Sequence, residues 1–364
     1  MPKHEDLEPQ QFGRRSGIRR LTYRPSSEKQ GGTGKRDTRW RDTRDWSAIK
    51  DQLRRTVRHA PEVVIKVKGS RRDKDDDREA IAGVLRYMMY ISRNGKLLTV
   101  DEQQQRIDGR EAIRETHASW DLDMQRMHGG RGDPLHPSFN IIFSMPAHTQ
   151  PERMLDAVQA FAREQFQGHQ YVMALHTQET DPADDPPAHP HVHVVLRAEN
   201  EDGQRIHIRK GTLRGWREAF AAELRARGIE ANATSRAERG RSLKTKSGAE
   251  WHIHKRASLG KGDASQAAMA RLLDAAREME NGRTESKPWE VAMAAKRRDV
   301  VRGLRQDAER LRQEGDTRLA DEVDHFIADM PALDSERRQI QRALVRQVQD
   351  RLRQRGAVDG EKHR

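Results

Sequence analysis

The stretch HPHVHVVL, residues 189–196, sets His189, His191 and His193 at every second position. Alternate side chains of an extended chain leave the same face, so His191 and His193 project with Val195, while Val192, Val194 and Leu196 project the other way. Two imidazoles at this spacing can converge on one cation. Pro190 interrupts the ladder beside His189, which puts that residue at the mouth of the strand as a reserve ligand. Earlier in the chain, His176 closes another apolar run, QYVMALHT. If the two strands are neighbours, His176 supplies a third imidazole. Imidazole alone suits zinc, copper, nickel or manganese, so the ligands do not name the ion. The competing reading is a set of solvated or hydrogen-bonded histidines on an open sheet face. A H-E-x-x-H helix is absent, which points away from a zinc protease.

Lysine and arginine number 69 against 57 acids, a formal charge of +12. A cation site in so basic a chain suggests phosphodiester chemistry, which requires a nucleophile. Only four tyrosines are present, two of them in RYMMYISRNGKL. On a helical wheel of about 100° per residue, Ile81, Val84, Leu85 and Met88 mark the buried side. Tyr90 falls on the opposite face with Arg86, Arg93 and Asn94, and Tyr87 lies nearer the apolar edge. A phenol among guanidiniums is placed to meet a phosphate, and positive charge favours its anion. An ordinary surface tyrosine is the alternative.

YISRNGKL, HPHVHVVL and ATSRAERGRS, taken together and in this order, resemble the conjugative relaxases of the HUH superfamily. The likeness is greatest to the T-DNA border-nicking relaxase of the type IV secretion pathway, and it spans roughly residues 62–245. It implies a palm-like relaxase fold and a mobilization endonuclease that nicks one strand at an origin of transfer. Tyr90 would be the nucleophile, remaining joined to the 5′ end as a phosphotyrosyl intermediate. His176, His191 and His193 would hold a divalent ion, Mg2+ or Mn2+. Arg86, Arg93, Lys96, Arg236 and Arg239 are the expected DNA contacts, because guanidinium binds phosphate bidentately. The SRAERG segment could instead be a capped helix start with a solvated basic face.

The sequence departs from the family pattern in two places. Gln178 stands where an acid often follows the first histidine, and the carboxylates come later, at Glu179, Asp181, Asp184 and Asp185. Arg197 stands where an asparagine often follows the last. The resemblance also implies single-stranded DNA, relaxosome accessory proteins and a secretion coupling protein as partners. Trp216 or Trp251 could stack on bases, or be packing residues. A rolling-circle replication initiator and a non-catalytic DNA-binding accessory protein are the rival functions. No G-x-x-x-x-G-K-[ST] loop accompanies the site.

The elements that must position these groups occupy only part of the 364 residues. Apolar residues make up 34% and charged residues 35%, with a mean hydropathy of −1.03, so a packed core is expected for part of the chain alone. With no cysteine, disulfides and thiolate nucleophiles are excluded, which fits a reducing bacterial cytoplasm, from which the protein could leave with its DNA. No apolar run approaches the roughly 18 residues of a membrane span.

Residues 1–60 read as a disordered basic arm, 61–256 as a nuclease domain and 264–356 as a helical C-terminal region. Within the middle part, PEVVIKVKG, SFNIIFSMP, QYVMALHT, HVHVVLRAE and RIHIRK read as strands. Helices are expected from the stripe of Ile81 to Met88, around Glu111–Met127, after Pro151, and over TLRGWREAFAAELRARG. HGGRGDP reads as a loop. The fold class expected is therefore α+β, a central antiparallel sheet flanked by helices. Stripes at Met269/Leu272/Leu273/Ala276, Trp289/Met293/Val300/Leu304/Leu311 and Ile340/Leu344/Val348/Leu352 predict three C-terminal helices, closed by Gly282, Gly315 and Gly356.

Overall fold

The computed structural model describes residues 45–69, 77–123, 136–243, 248–263, 265–282 and 285–361. Residues 1–44 of the expected arm and the HGGRGDP segment lie outside them. Among the described residues, one sheet is built from β1 (Val64–Gly69), β2 (Thr99–Asp101), β3 (Arg106–Ile107), β4 (Ser138–Ser144), β5 (Tyr171–His176) and β6 (His191–Arg197). Its order is β1-β4-β6-β5-β2-β3, and every neighbouring pair is antiparallel. The helices are α1 (Trp46–Val57), α2 (Asp77–Ile91), α3 (Gly109–Ser119), α4 (Pro151–Gln165) and α5 (Lys210–Ala226), followed by α6 (Gly248–Ser258), α7 (Gln266–Glu280), α8 (Pro288–Gln313), α9 (Thr317–Ala328) and α10 (Glu336–Glu361). The expected α+β architecture with a helical C-terminal region is what the chain adopts.

The two-residue alternation of β6 sorts its side chains into two cores. Val192, Val194 and Leu196 face α4 and α5, where Phe143, Phe161, Phe166, Trp216 and Phe220 are all buried. The Phe143 ring meets those of Phe161 and Phe220 edge-on, each at a centroid distance of 5.0 Å. Burying a side chain of this size contributes about 1.5–3 kcal/mol, so this layer anchors β6 from below. Trp216 therefore belongs to the core. On the histidine face, Val84, Met88 and Ile91 of α2, with Ile113 of α3 and Trp120 just beyond it, pack over Val172, Ala174 and Val195. That second core clamps α2 across β5 and β6.

The last turn of α2 is drawn up sharply. Arg93, Asn94 and Gly95 take consecutive positive φ values of 51°, 60° and 79°. The Asn94 amide donates to Met89 O at 2.8 Å and the Leu97 amide to Ser92 O at 2.9 Å. The Asn-Gly stop expected from the sequence thus closes the helix and leaves Tyr90 one residue from its end.

Several features differ from the sequence expectation. Residues 46–57, assigned to the disordered arm, form α1. Trp46, Ile49, Leu53 and Val57 share one side of it and join Val300, Leu304, Leu311, Leu319, Val323 and Phe326 in a separate core. The arginines around these apolar residues hid a 3–4 residue period whose partners lie more than 240 residues later. The short α9, whose Leu319, Val323 and Phe326 complete that core, had no counterpart among the expected stripes. RIHIRK forms only an isolated bridge, Glu199 to Arg205, and no strand. Gly356 does not end a helix; α10 runs through it, since one glycine costs only about 1 kcal/mol in a helix interior. The apolar stripes on α7 and α10 are also more exposed than a core face would be, with Leu273 at 48% and Leu352 at 62%.

Gly95 and Gly228 test the backbone directly. A Cβ on Gly95 would lie 2.3 Å from the Gly109 carbonyl carbon, whereas one on Gly228 would meet nothing closer than an arginine tip at 3.5 Å. Both have positive φ. Gly228→Ala should cost about 1 kcal/mol of backbone strain, and Gly95→Ala distinctly more because rigid backbone must move. Denaturant midpoints of the two variants check this ordering.

Candidate active site

Strand register brings the histidines together. His176 is paired directly across from His191, and Ala174 across from His193. Paired residues on adjacent strands point to one side, so all three imidazoles share the face beneath α2. Their ring centroids lie 4.9 Å (His176–His191), 4.9 Å (His176–His193) and 5.2 Å (His191–His193) apart. One nitrogen from each falls within 4.8 Å of the others. All three are buried. His189 stands outside this group, exposed at the mouth, and touches it through its backbone carbonyl and a ring contact of 5.5 Å with His191.

Each ring is oriented by an oxygen at Nδ1. His176 Nδ1 meets Asp181 Oδ2 at 2.7 Å, His193 Nδ1 meets Asn140 Oδ1 at 3.0 Å, and His191 Nδ1 meets His189 O at 3.2 Å. These oxygens only accept, so in His191 and His193 Nδ1 carries the proton and Nε2 keeps its lone pair. Burial pushes His176 below the ordinary histidine range. It pushes His191 to about 4, and His193, with neighbouring positive charge from the other imidazoles, Arg93 and Lys68 adding to burial, to about 2. The cluster therefore stays neutral through the pH range where free histidine charges. His176 Nε2 also lies 2.8 Å from Ile91 O. His176 thus stands between two acceptors, and its single proton serves one of them at a time.

Such a donor set fits a divalent metal: three neutral imidazoles, each held by a second group of the kind that fixes metal-bound histidines. His176, His191 and His193 would be the ligands.

Asp181 is the acid the sequence could not single out among Glu179, Asp181, Asp184 and Asp185. A tight turn, with the Asp181 amide on Thr177 O at 3.1 Å, swings its carboxylate back over His176. It accepts two hydrogen bonds from Arg93, from Nε and Nη2 at 2.7 Å each, as well as the one from His176. Arg93, first, then His176 and the Ala183 amide outweigh burial and hold this carboxyl far below the usual carboxylate range. Its stabilising charge is present at all pH values above that range and is lost only as strong acid protonates it. Asn140, on β4, was also missed. Its signal was the register Asn140 to Val195, two residue pairs from His193 and on the same face, which only the sheet order supplies.

Tyr90 is 52% exposed, and its ring meets that of His193 edge-on at 5.6 Å. The Arg93 guanidinium sits 5.1 Å over the phenol ring. Tyr87 differs: its hydroxyl donates to Gly69 O at 3.0 Å, and burial raises its pKa. Among the expected DNA contacts, Arg93 is committed to Asp181, and Arg86 to Glu79 at 2.6 Å. Arg239 leans towards Glu62, at 3.7 Å, from a turn in which Ser235 and Glu238 cap each other. That turn is neither a full helix start nor in contact with the histidines among the described residues. Lys96 and Arg236 are exposed.

Residues 90–229 match the family model for relaxases, described as the MobA/VirD2-like nuclease domain. No curated protein matches the chain. Among solved structures, the chain is similar to one described as "Molecular Basis of Vancomycin Resistance Transfer in Staphylococcus aureus", over 48% of this chain and 99% of that one, at 10% identity and a TM-score of 0.30, a likeness too slight to carry weight.

Asp181→Asn should lower Mn2+ affinity about 10- to 100-fold, read by calorimetric titration, because His176 loses its orienting charge and Arg93 its partner. Glu179→Gln, at an exposed position in the same insert, should leave the titration unchanged. Equal effects of the two would mean that bulk negative charge, rather than the Asp181 hydrogen bonds, shapes the cluster.

Proposed function

Residues 90–229 match a relaxase nuclease domain, and on that premise we propose that the protein nicks one strand of DNA at an origin of transfer by transesterification through Tyr90. The observation that carries this reading is the exposed Tyr90 phenol beside His193 and the three-histidine cluster. The phenol oxygen attacks the scissile phosphorus. The bond from phosphorus to the 3′ oxygen breaks, that oxygen takes up a proton in place of the one the phenol releases, and the 5′ end stays on Tyr90 as a phosphotyrosine. One phosphodiester replaces another, so the reverse reaction can rejoin the strand without ATP.

A divalent ion on His176, His191 and His193, Mg2+ or Mn2+, would supply neutralising charge to the phosphate oxygens. Arg93, pinned by Asp181 and stacked on the Tyr90 ring, holds positive charge at the nucleophile and limits where the phenol can turn. Tyr87 has no such freedom while its hydroxyl is tied to Gly69. The reading takes residues 61–256 as the nuclease domain and 264–356 as a helical region. Relaxosome accessory proteins and a type IV secretion coupling protein would be the protein partners, and single-stranded DNA the substrate. No helix among the described residues is long and apolar enough to cross a membrane.

Tyr90→Phe should abolish the covalent adduct with a single-stranded oligonucleotide, seen as a shifted band on a denaturing gel, and leave DNA binding within a few-fold. An adduct that persists would move the nucleophile elsewhere. EDTA, or His191→Ala, should stop cleavage; undiminished nicking in excess chelator removes the ion from the reaction.

A further inference from the structure

Three of the five cations expected to touch DNA have carboxylates beside them, so the phosphates of a bound strand need other partners. Lys66 and Lys68 on β1 meet that need. Lys66 pairs with Ile142, which pairs with His193; Lys68 pairs with Asn140, which pairs with Val195. Antiparallel partners point to one side, so both lysines stand on the histidine face, two strand spacings or about 10 Å from β6. Lys68 is near enough to help keep His193 uncharged.

That face is only partly covered. The core beneath α2 and α3 lies over β5, β3 and the Val195 end of β6, while on β1 Val64, Lys66 and Lys68 are exposed and Ile142 beside them is half-buried. The opposite face of β1, by contrast, buries Ile65 in the core beneath α4 and α5. The result is a shelf with a lysine-lined outer edge and the Tyr90 end of α2 as its wall. Neither lysine has a carboxylate partner among the described residues. Spaced about 7 Å along the strand, the two ammonium groups match about two nucleotide rises of a stacked strand, at about 3.4 Å each.

We propose that Lys66 and Lys68 hold phosphates two nucleotides apart on a single DNA strand that passes the Tyr90–histidine site and runs along β1 at the sheet edge. This rests on the nicking function proposed above and assigns that strand its path. Lysine suits the task, because a point charge on a flexible stem follows a backbone without reading bases.

The test uses the full chain, the Lys66→Gln/Lys68→Gln variant and an oligothymidylate, with binding measured by fluorescence anisotropy across a salt series. Expected are a loss of about tenfold in affinity and a fall of roughly 1.4 in the slope of log affinity against log salt, about 0.7 per phosphate contact. Mn2+ binding and the circular dichroism spectrum should match those of the parent protein, and Lys66→Arg/Lys68→Arg should restore the slope. An unchanged slope in the glutamine variant, with salt-dependent binding intact in the parent, overturns the lysine track and leaves the Tyr90 reading standing. Parent protein that shows no salt-dependent binding overturns both.

Discussion

The pairing of His176 with His191 across β5 and β6 is the constraint on which the site depends. A slip of one residue in that register would turn every side chain of one strand to the other face. His191 and His193 would then enter the aromatic layer under α4 and α5, and Val192 and Val194 would face the cation. The valines and the phenylalanine cluster therefore do more than fill space: they make the correct register the only one that buries apolar surface on both sides of β6.

Three imidazoles packed beneath a helix carry a penalty for charging, and the surrounding groups are arranged so that they need not charge. At His191 and His193 the Nδ1 proton has an acceptor, which leaves the lone pair on Nε2. The one full negative charge nearby, on Asp181, is shared between His176 and Arg93. Arg93 in turn covers the Tyr90 ring, so a single carboxylate couples the orientation of His176 to the surroundings of Tyr90, the proposed nucleophile. Removing one partner from such a buried pair leaves the other uncompensated, which is far costlier than losing a surface ion pair.

The distribution of positive charge follows similar logic. Arg86 and Arg93 both have carboxylate partners, but only Arg93 is pinned by a buried one, Asp181; the Arg86–Glu79 pair is exposed. Lys66 and Lys68 on the edge strand have no carboxylate partner among the described residues. A pinned guanidinium can hold reacting atoms in place, and lysines on flexible stems can accommodate a backbone of variable course. Ahead of β1, α1 packs on α8 and α9, so the last part of the basic N-terminal segment is held by the C-terminal helices.

The local patterns that the sequence determined are those with short periods: alternation in β6, the apolar stripe that sets Tyr90 on the outer face of α2, the Asn-Gly stop, and the strand-like runs of the sheet. These depend on neighbours two to four residues apart, so the order of residues alone dictates them. Tertiary structure decided everything that joins distant segments. It chose Asp181 from four carboxylates, because only the turn after β5 aims that one at His176. It brought in Asn140 through the sheet order, committed Arg93 and Arg86 to internal partners, and made a helix of residues 46–57 by giving their apolar side a surface to cover. Period reveals which face a side chain takes; what stands opposite that face is set by packing across tens to hundreds of residues.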